Sequence, residues 1–364
     1  MISVHCNLCG FVPRRTGGAQ VFLEGLIPQI SAFEEINLTV HGSEATGDWL
    51  NRFMDEAPAF NKIGDTHGLV NRFRASRKLR SQIGAGEIAW SPLNQGLGEN
   101  GKFHEVLTIH DLIPLHYSQR NPRYKHNYSR QIMCALRWTN SMRTARRASA
   151  VVSVSNSVAE ELKAAIGSPE VYGAPNGIDP NKKRAAEKSL WQYSGKPDVI
   201  AVTSGSWPHK GIRTLEEVAD ALPEVTFHLI GKSDRQFAQS NIVPTGRIGT
   251  EELNGYFQSS SALFFPSRIE GFGLPVLEAL VFGTPVVATD IPVLREVGGD
   301  SSRYFKLYDI ATATQLLKMV LADQAAAEAM SAGGLRHCKQ FTWANAAAVY
   351  RQVFNAINNK TAAR

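Results

Sequence analysis

Several features are scarce or missing in this chain. No apolar run approaches the roughly 18 residues that a membrane-spanning helix needs, so a spanning segment is excluded. Cysteine occurs four times and in no spaced framework, which speaks against a disulfide-stapled fold and fits a reducing compartment. Cys6 and Cys9 have metal-ligand spacing, but Cys134 and Cys338 are distant, so a zinc site lacks two ligands. The opening MISVHCNLCGFVPRR has a short, broken apolar stretch with charge after it, unlike a signal peptide. These absences predict a cytoplasmic protein, in which the glycosylation triplets at Asn37 and Asn127 carry little meaning.

Acidic residues are absent from Leu112 to Ala159, where Arg120, Arg123, Lys125, Arg130, Arg137, Arg143, Arg146 and Arg147 fall. NRFRASRKLR (71–80) also holds five basic residues and no acid, within a net charge of +6. Two readings stand: solvated helix faces, or a surface that meets anionic lipid head groups or a phosphorylated substrate. Nucleic acid is disfavoured, because no recognition helix, zinc finger or aromatic sheet motif accompanies the charge.

What is present is an alternation of apolar strands and amphipathic helices, long enough for two domains. ISVH, LTVH (38–41), EIAWS (87–91), EVLTIH (105–110) and AVVSVS (150–155) read as strands, with a further short one near Val171. GGAQVFLEGL reads as a first helix that Pro28 should end or kink. A long basic helix is expected from near Pro122 to Arg147. APNGIDPNKKR (174–184) reads as a linker. A second series comes after it: DVIAVTSGS (198–206), VTFHLIG (225–231), SALFFPS (261–267) and TPVVATD (284–290), with helices between and a helical tail from about Thr312. The expected fold is α/β, with two doubly wound Rossmann-like domains facing a cleft. Their bounds are placed at 1–175 and 176–345, with a C-terminal helix (346–364) packing back on the first domain.

Ligands in open α/β sheets sit beyond the carboxyl ends of the strands, which directs attention to the residues just after each strand. In SRIEGFGLPVLEAL (267–280), Glu270 precedes Gly271-Phe272-Gly273-Leu274, and Pro275 suits a first helical position. A helix start is a ready phosphate site. Glu278, expected in the first turn, would repel phosphate and so suits hydroxyls such as those of a ribose. Glu270 would then face the other end of the same ligand. The plainer reading is a helix with one first-turn acid favoured by the dipole. Lys210, in the loop Gly205-Ser206-Trp207-Pro208-His209-Lys210, offers a point charge for phosphate. His110 ends an apolar strand, and Asp111 either orients it or caps the next loop. Gly17-Gly18 before the first helix is a second possible anion site. GAGEIA (84–89) matches a loose dinucleotide pattern but precedes a strand, and is discounted.

These segments resemble the retaining GT-B glycosyltransferases of family 4. PSRIEGFGLPVLEAL is similar to that family's glutamate, seven residues, glutamate motif. GRIGTEELNGYF, FGTPVVATDIPVLREVGGD and APNGID resemble its flanking segments, and TIHDLIPL and VSVSNSVAEEL those of a bacterial mannosyl- and rhamnosyltransferase branch. The resemblance covers about 100–355. It implies that Glu278 holds the ribose and Glu270 the sugar hydroxyls. Lys210 and the amides of Phe272, Gly273 and Leu274 would hold the diphosphate, with Gly17-Gly18 closing over it. His110 would face the donor sugar. The turns after Gly231 and near Ile248 are expected to line the base pocket.

The resemblance further implies a retaining hexosyltransferase that needs no cofactor or metal, in keeping with the absence of Asp-x-Asp. GDP-mannose is the first expectation for the donor, ahead of dTDP-rhamnose and UDP-sugars. The acceptor would be a glycan or a polyprenyl-diphosphate-linked saccharide of bacterial surface polysaccharide, on the inner face of the plasma membrane. A non-catalytic sugar-nucleotide-binding protein is the alternative of another class. His209 stands where such relatives often have arginine. It would donate one hydrogen bond as a neutral ring or strengthen phosphate binding on protonation, and His209→Arg is expected to tighten donor binding.

Overall fold

The computed structural model describes residues 1–13, 17–64, 68–98, 101–118, 128–167, 170–178, 197–203, 208–233 and 235–362. The chain forms two compact units: Met1–Gly177 with Phe341–Arg364, and Ile178–Gln340.

The first unit runs β1 (Ile2–Asn7), α1 (Gly18–Ser31), β2 (Ile36–Gly42), α2 (Glu44–Phe53), β3 (Ala59–Lys62), α3 (Gly68–Gln82), β4 (Ile88–Ser91) and β5 (His104–Ile109). It continues with α4 (Ile113–Ser118), α5 (Tyr128–Ala145), β6 (Ala150–Ser153), α6 (Asn156–Ile166) and β7 (Val171–Gly173). Its strands pair in parallel in the order β3-β2-β1-β4-β5-β6-β7. Strands β4 and β6 are buried at every position, as parallel strands covered on both faces must be.

The second unit begins with β8 (Asp198–Val202), a 3₁₀ turn at Pro208–Lys210, α7 (Ile212–Ala221), β9 (Thr226–Ile230) and β10 (Ile242–Gly246). Then come α8 (Thr250–Ser259), β11 (Ala262–Phe265), α9 (Leu274–Phe282), β12 (Val286–Thr289), α10 (Pro292–Gly298), β13 (Arg303–Phe305), α11 (Ile310–Ala322) and α12 (Gln324–His337). The order is β10-β9-β8-β11-β12-β13, again parallel. Phe227, Phe264, Leu215, Val218 and Leu317 fill the core on one face of this sheet.

The last helix, α13 (Trp343–Ala362), returns to the first unit and packs on α1. Trp343 lies over Gly25, where an added Cβ would come within 2.1 Å of the indole. The Tyr350 hydroxyl and Thr108 share a 2.8 Å hydrogen bond, and the Trp90 indole N–H donates to the same threonine at 3.0 Å.

In each sheet the winding reverses once, between β1 and β4 and between β8 and β11. Ligand crevices in such sheets open at that reversal. The α/β reading with two doubly wound sheets therefore holds, with local differences. Helix α1 passes through Pro28 and ends at Ser31. Pro28 removes only its own N–H from the ladder, and Phe22, Leu23, Leu26, Ile27 and Ile30 stay buried around it. Of the long basic helix, the expected start near Pro122 lies outside the described residues, and the described part is α5 from Tyr128; a short α4 at Ile113–Ser118 was not expected. The tail is broken into α11, α12 and α13, and Asp323 caps α12 through the Ala326 amide. Strands β3, β10 and β13, not expected from the sequence, are all edge strands. Pro244 is tolerated in β10 for that reason.

Candidate active site

In the second unit the reversal brings together the loops after β8 and β11. Gly211 has φ +69°, and a Cβ there would lie 2.0 Å from the Pro266 carbonyl oxygen. Only glycine lets the first loop seat so closely on the second. The Arg268 amide then donates to the His209 carbonyl at 2.7 Å, joining the two loops. On this junction Lys210 Nζ meets Glu270 Oε1 at 2.7 Å, with side chains 14 % and 11 % exposed. Ser267 stands within 2.5 Å of the same carboxylate oxygen and 3.4 Å from the His209 carbonyl. Its single proton belongs with the nearer, charged acceptor.

Beyond Glu270, the segment Gly271, Phe272 and Gly273 is buried. Gly273 has φ +101° and serves as N-cap without a side-chain cap. Helix α9 starts at Leu274, with Pro275 second. Glu278 is therefore in the second turn, not the first: the left-handed glycine, and not the proline, sets the start. Leu274, Pro275 and Glu278 are half-buried, while Val276, Leu277, Ala279 and Leu280 are buried. The helix thus turns one narrow edge outward, and on that edge Glu278 leans back toward the helix start. Gly283, left-handed at φ +79°, ends it.

Gly205 and Ser206 lie outside the described residues. Ile248 is half-buried just after β10, and a 2.8 Å bond from the Gly231 amide to the Gly246 carbonyl ties the ends of β9 and β10 beside it. The structure thus gathers Lys210, Glu270, the α9 start, Glu278 and Ile248 at the carboxyl edge of one sheet.

His209 points inward: it is 3 % exposed. Burial first, and the neighbouring Lys210 second, push its pKa down to about 4, with Glu270 acting in the opposite sense. The ring is neutral at physiological pH, so protonation supplies no second charge for phosphate there. An arginine would have to bury its guanidinium, which removes the ground for expecting His209→Arg to tighten binding.

In the first unit, His110 follows β5. Its amide donates to Asn94 Oδ1 at 2.5 Å, and its Nε2 lies 2.6 Å from the Pro92 carbonyl oxygen. A carbonyl only accepts, so Nε2 carries the proton and Nδ1 is the acceptor nitrogen. Burial lowers the pKa of His110 against the opposing bond to Pro92. The Phe22 ring on α1 meets the imidazole edge-on at 4.7 Å. Gly17 and Gly18, exposed at the start of α1, are on that same helix. Asp111 accepts from the Ile113 amide at 3.0 Å, so it caps α4.

Asn94, Glu105 and Ser267 escaped the sequence reading. Asn94 adopts φ +59°, a conformation asparagine tolerates better than most residues. Glu105, fully buried, accepts from Ser91 at 2.8 Å and from the Leu97 and Gly98 amides at 2.6 and 2.8 Å. It fixes the loop from which Asn94 and Pro92 hold His110. Among the described residues no three His, Cys, Asp or Glu side chains cluster as metal ligands do.

Residues 196–323 match the family model described as Glycosyl transferases group 1, and residues 90–182 the model described as Glycosyltransferase Family 4. The chain is 25% identical over 279 residues to the serotype-specific mannosyltransferase WbdA of Escherichia coli, covering 68% of this chain and 33% of that protein. It is 24% identical over 216 residues to the O-antigen chain mannosyltransferase RfbU of Salmonella typhimurium, covering 55% of this chain and 56% of that one. The chain thus spans about a third of the first of these relatives. Sucrose-phosphate synthase from Thermosynechococcus elongatus shares the fold at TM-score 0.72 and 17% identity, over 98% of this chain and 100% of that one. Anabaena HepE, solved with UDP and glucose, does so at TM-score 0.70 and 16% identity, over 98% and 99%. The fold is that of the GT-B glycosyltransferases.

His209 gives a sign for stability against pH. Its folded pKa of about 4 lies below its unfolded value, so its contribution is complete above about pH 6.5 and is lost as pH falls toward 4. Between pH 7 and pH 5 this one group should remove about 2 kcal/mol of unfolding free energy. Urea denaturation of the wild type and His209→Asn at both values measures it. The variant should show the weaker pH dependence, and equal dependence in both would contradict a buried neutral ring.

Proposed function

We propose that this chain, which belongs to the family 4 glycosyltransferases, moves a hexose from a nucleotide-diphosphate sugar to a saccharide acceptor with retention of configuration. GDP-mannose is the favoured donor, and a saccharide or polyprenyl-diphosphate-linked saccharide of bacterial surface polysaccharide the favoured acceptor. The mannosyltransferase names of WbdA and RfbU support that choice. The observation that carries the reading is the grouping of Lys210 and Glu270 at the sheet reversal, directly before the start of α9.

In this reading the diphosphate lies on the amides of Gly273 and Leu274, where the helix dipole favours negative charge. Phe272 anchors that turn, and Lys210 adds a point charge. Glu278 accepts from the ribose hydroxyls, and Ile248 borders the base. In the first unit, the acceptor nitrogen Nδ1 of His110 suits a hydroxyl donor, and the exposed Gly17-Gly18 turn at the start of α1 suits an anion. The bond between the anomeric carbon and the β-phosphate oxygen breaks, its electron pair leaving with the diphosphate. The acceptor oxygen bonds to that carbon on the same face, and the acceptor proton passes to the departing phosphate oxygen. Fixed donors at the leaving group stabilise the charge that develops there without reorganisation. No metal or cofactor is assigned to the reaction.

Calorimetry with GDP-mannose, dTDP-rhamnose, UDP-glucose and UDP-N-acetylglucosamine tests this. One donor should bind the wild type, and Glu278→Ala should weaken it by about tenfold or more, as when a partner of bound hydroxyls is lost. Equal affinity in the variant would count against the ribose role, and silence across the panel against the donor assignment.

An acceptor on lipid would place the enzyme at an anionic surface. Helix α3 suits one: Phe73 is 71% exposed, and Arg74, Arg77, Lys78 and Arg80 are exposed around it. An aromatic among cations is the pattern of interfacial helices. No helix among the described residues is long and apolar enough to cross a membrane. Co-sedimentation at low salt should favour anionic over neutral vesicles, and Phe73→Ser with Arg77→Glu should reduce it. No preference in the wild type would overturn the surface assignment.

A further inference from the structure

The Lys210–Glu270 pair has a consequence beyond holding a donor. A lysine meant for phosphate is already neutralised, at 2.7 Å, by the carboxylate meant for the sugar. Both side chains are largely shielded from solvent, so neither charge can be left unpaired cheaply. We propose that Glu270 is a selector: it lets the site accept a nucleotide that carries a sugar and disfavours the bare nucleoside diphosphate. This rests on the nucleotide-sugar reading above.

A phosphate that takes Lys210 displaces the Glu270 carboxylate from its counterion. With a nucleotide sugar, the sugar hydroxyls donate to the released carboxylate and restore its hydrogen bonding. With a bare nucleoside diphosphate no sugar hydroxyl reaches it, and the carboxylate keeps the Ser267 hydroxyl, 2.5 Å away, in place of a full charge. The bare nucleotide is also the more negative ligand. Its terminal phosphate has a second ionisation near pH 6 that the sugar ester lacks, so at pH 7.5 it carries about one more negative charge. A shielded carboxylate beside that phosphate opposes it. After transfer, the sugar has left with the acceptor, Glu270 has lost the sugar hydroxyls, and its return to Lys210 competes with the diphosphate. One residue thereby favours donor entry and product exit.

Gln is isosteric with Glu and keeps an oxygen for both Lys210 and Ser267, so Glu270→Gln removes charge with little change of shape. Glu270→Ala removes it without a replacement amide. Calorimetry at pH 7.5 with GDP, UDP and dTDP, and with the matching nucleotide sugar, reads the effect, with thermal midpoints confirming that both variants fold. Both variants should bind the nucleoside diphosphate about tenfold tighter than the wild type does, and the nucleotide sugar no tighter. Unchanged or weaker binding of the nucleoside diphosphate in both variants would overturn the selector. Should no nucleotide bind the wild type or either variant, the nucleotide-sugar reading itself fails and the selector with it. Binding of equal strength in all three proteins removes the selector alone.

Discussion

The carbonyl of His209 takes a hydrogen bond from the Arg268 amide, and the geometry of the second unit's site depends on that junction. Two loops far apart in sequence become one surface there. Gly211 makes the approach possible, because any side chain would strike the Pro266 carbonyl. Lys210 and Glu270 then sit one residue beyond His209 and two beyond Arg268, within ion-pairing distance. The next residues run directly into the left-handed glycine that opens α9. Cation, carboxylate and helix start are thus brought together by backbone contacts, with no ligand needed to assemble them.

The first unit uses the same logic around one imidazole. Glu105 is a buried carboxylate that binds the backbone of the β4–β5 loop. That loop supplies the Pro92 carbonyl and the Asn94 amide oxygen to His110. A tautomer is fixed, a ring is oriented, and Phe22 packs its edge. Burial makes the carboxyl of Glu105 harder to ionise, against the pull of its three donors. A buried acid held this way serves loop geometry.

Much of the architecture was legible because central parallel strands are continuous apolar runs. ALFF and AVVS announce themselves whatever lies around them. The edge strands β3, β10 and β13 did not, since each has one pairing partner and an exposed side that polar residues and Pro244 can occupy. Glu270, Lys210 and His110 stand out because each lies in the segment that follows the carboxyl end of a strand, and Glu278 because it is the acid in the helix after one of them. Their pairing was not legible, because the strand order that sets β8 beside β11 leaves no mark in local sequence. Glu278 was placed at the end of the first turn and opens the second, one residue further along, because proline is a visible marker and the left-handed conformation of Gly273 is not. The inward turn of His209 likewise depends on the junction, and it changes the chemistry expected of that ring. Asn94 is one polar residue in a loop; only its tolerance of positive φ would have singled it out.

The central claim is that a diphosphate rests on the start of α9 with Lys210 beside it. A crystal structure of the full chain with the nucleoside diphosphate that binds best would test it most directly. The account predicts the β-phosphate within hydrogen-bond distance of the Gly273 and Leu274 amides, with Lys210 Nζ moved from Glu270 Oε1 to a phosphate oxygen. A diphosphate bound elsewhere, with the Lys210–Glu270 pair intact, would contradict it.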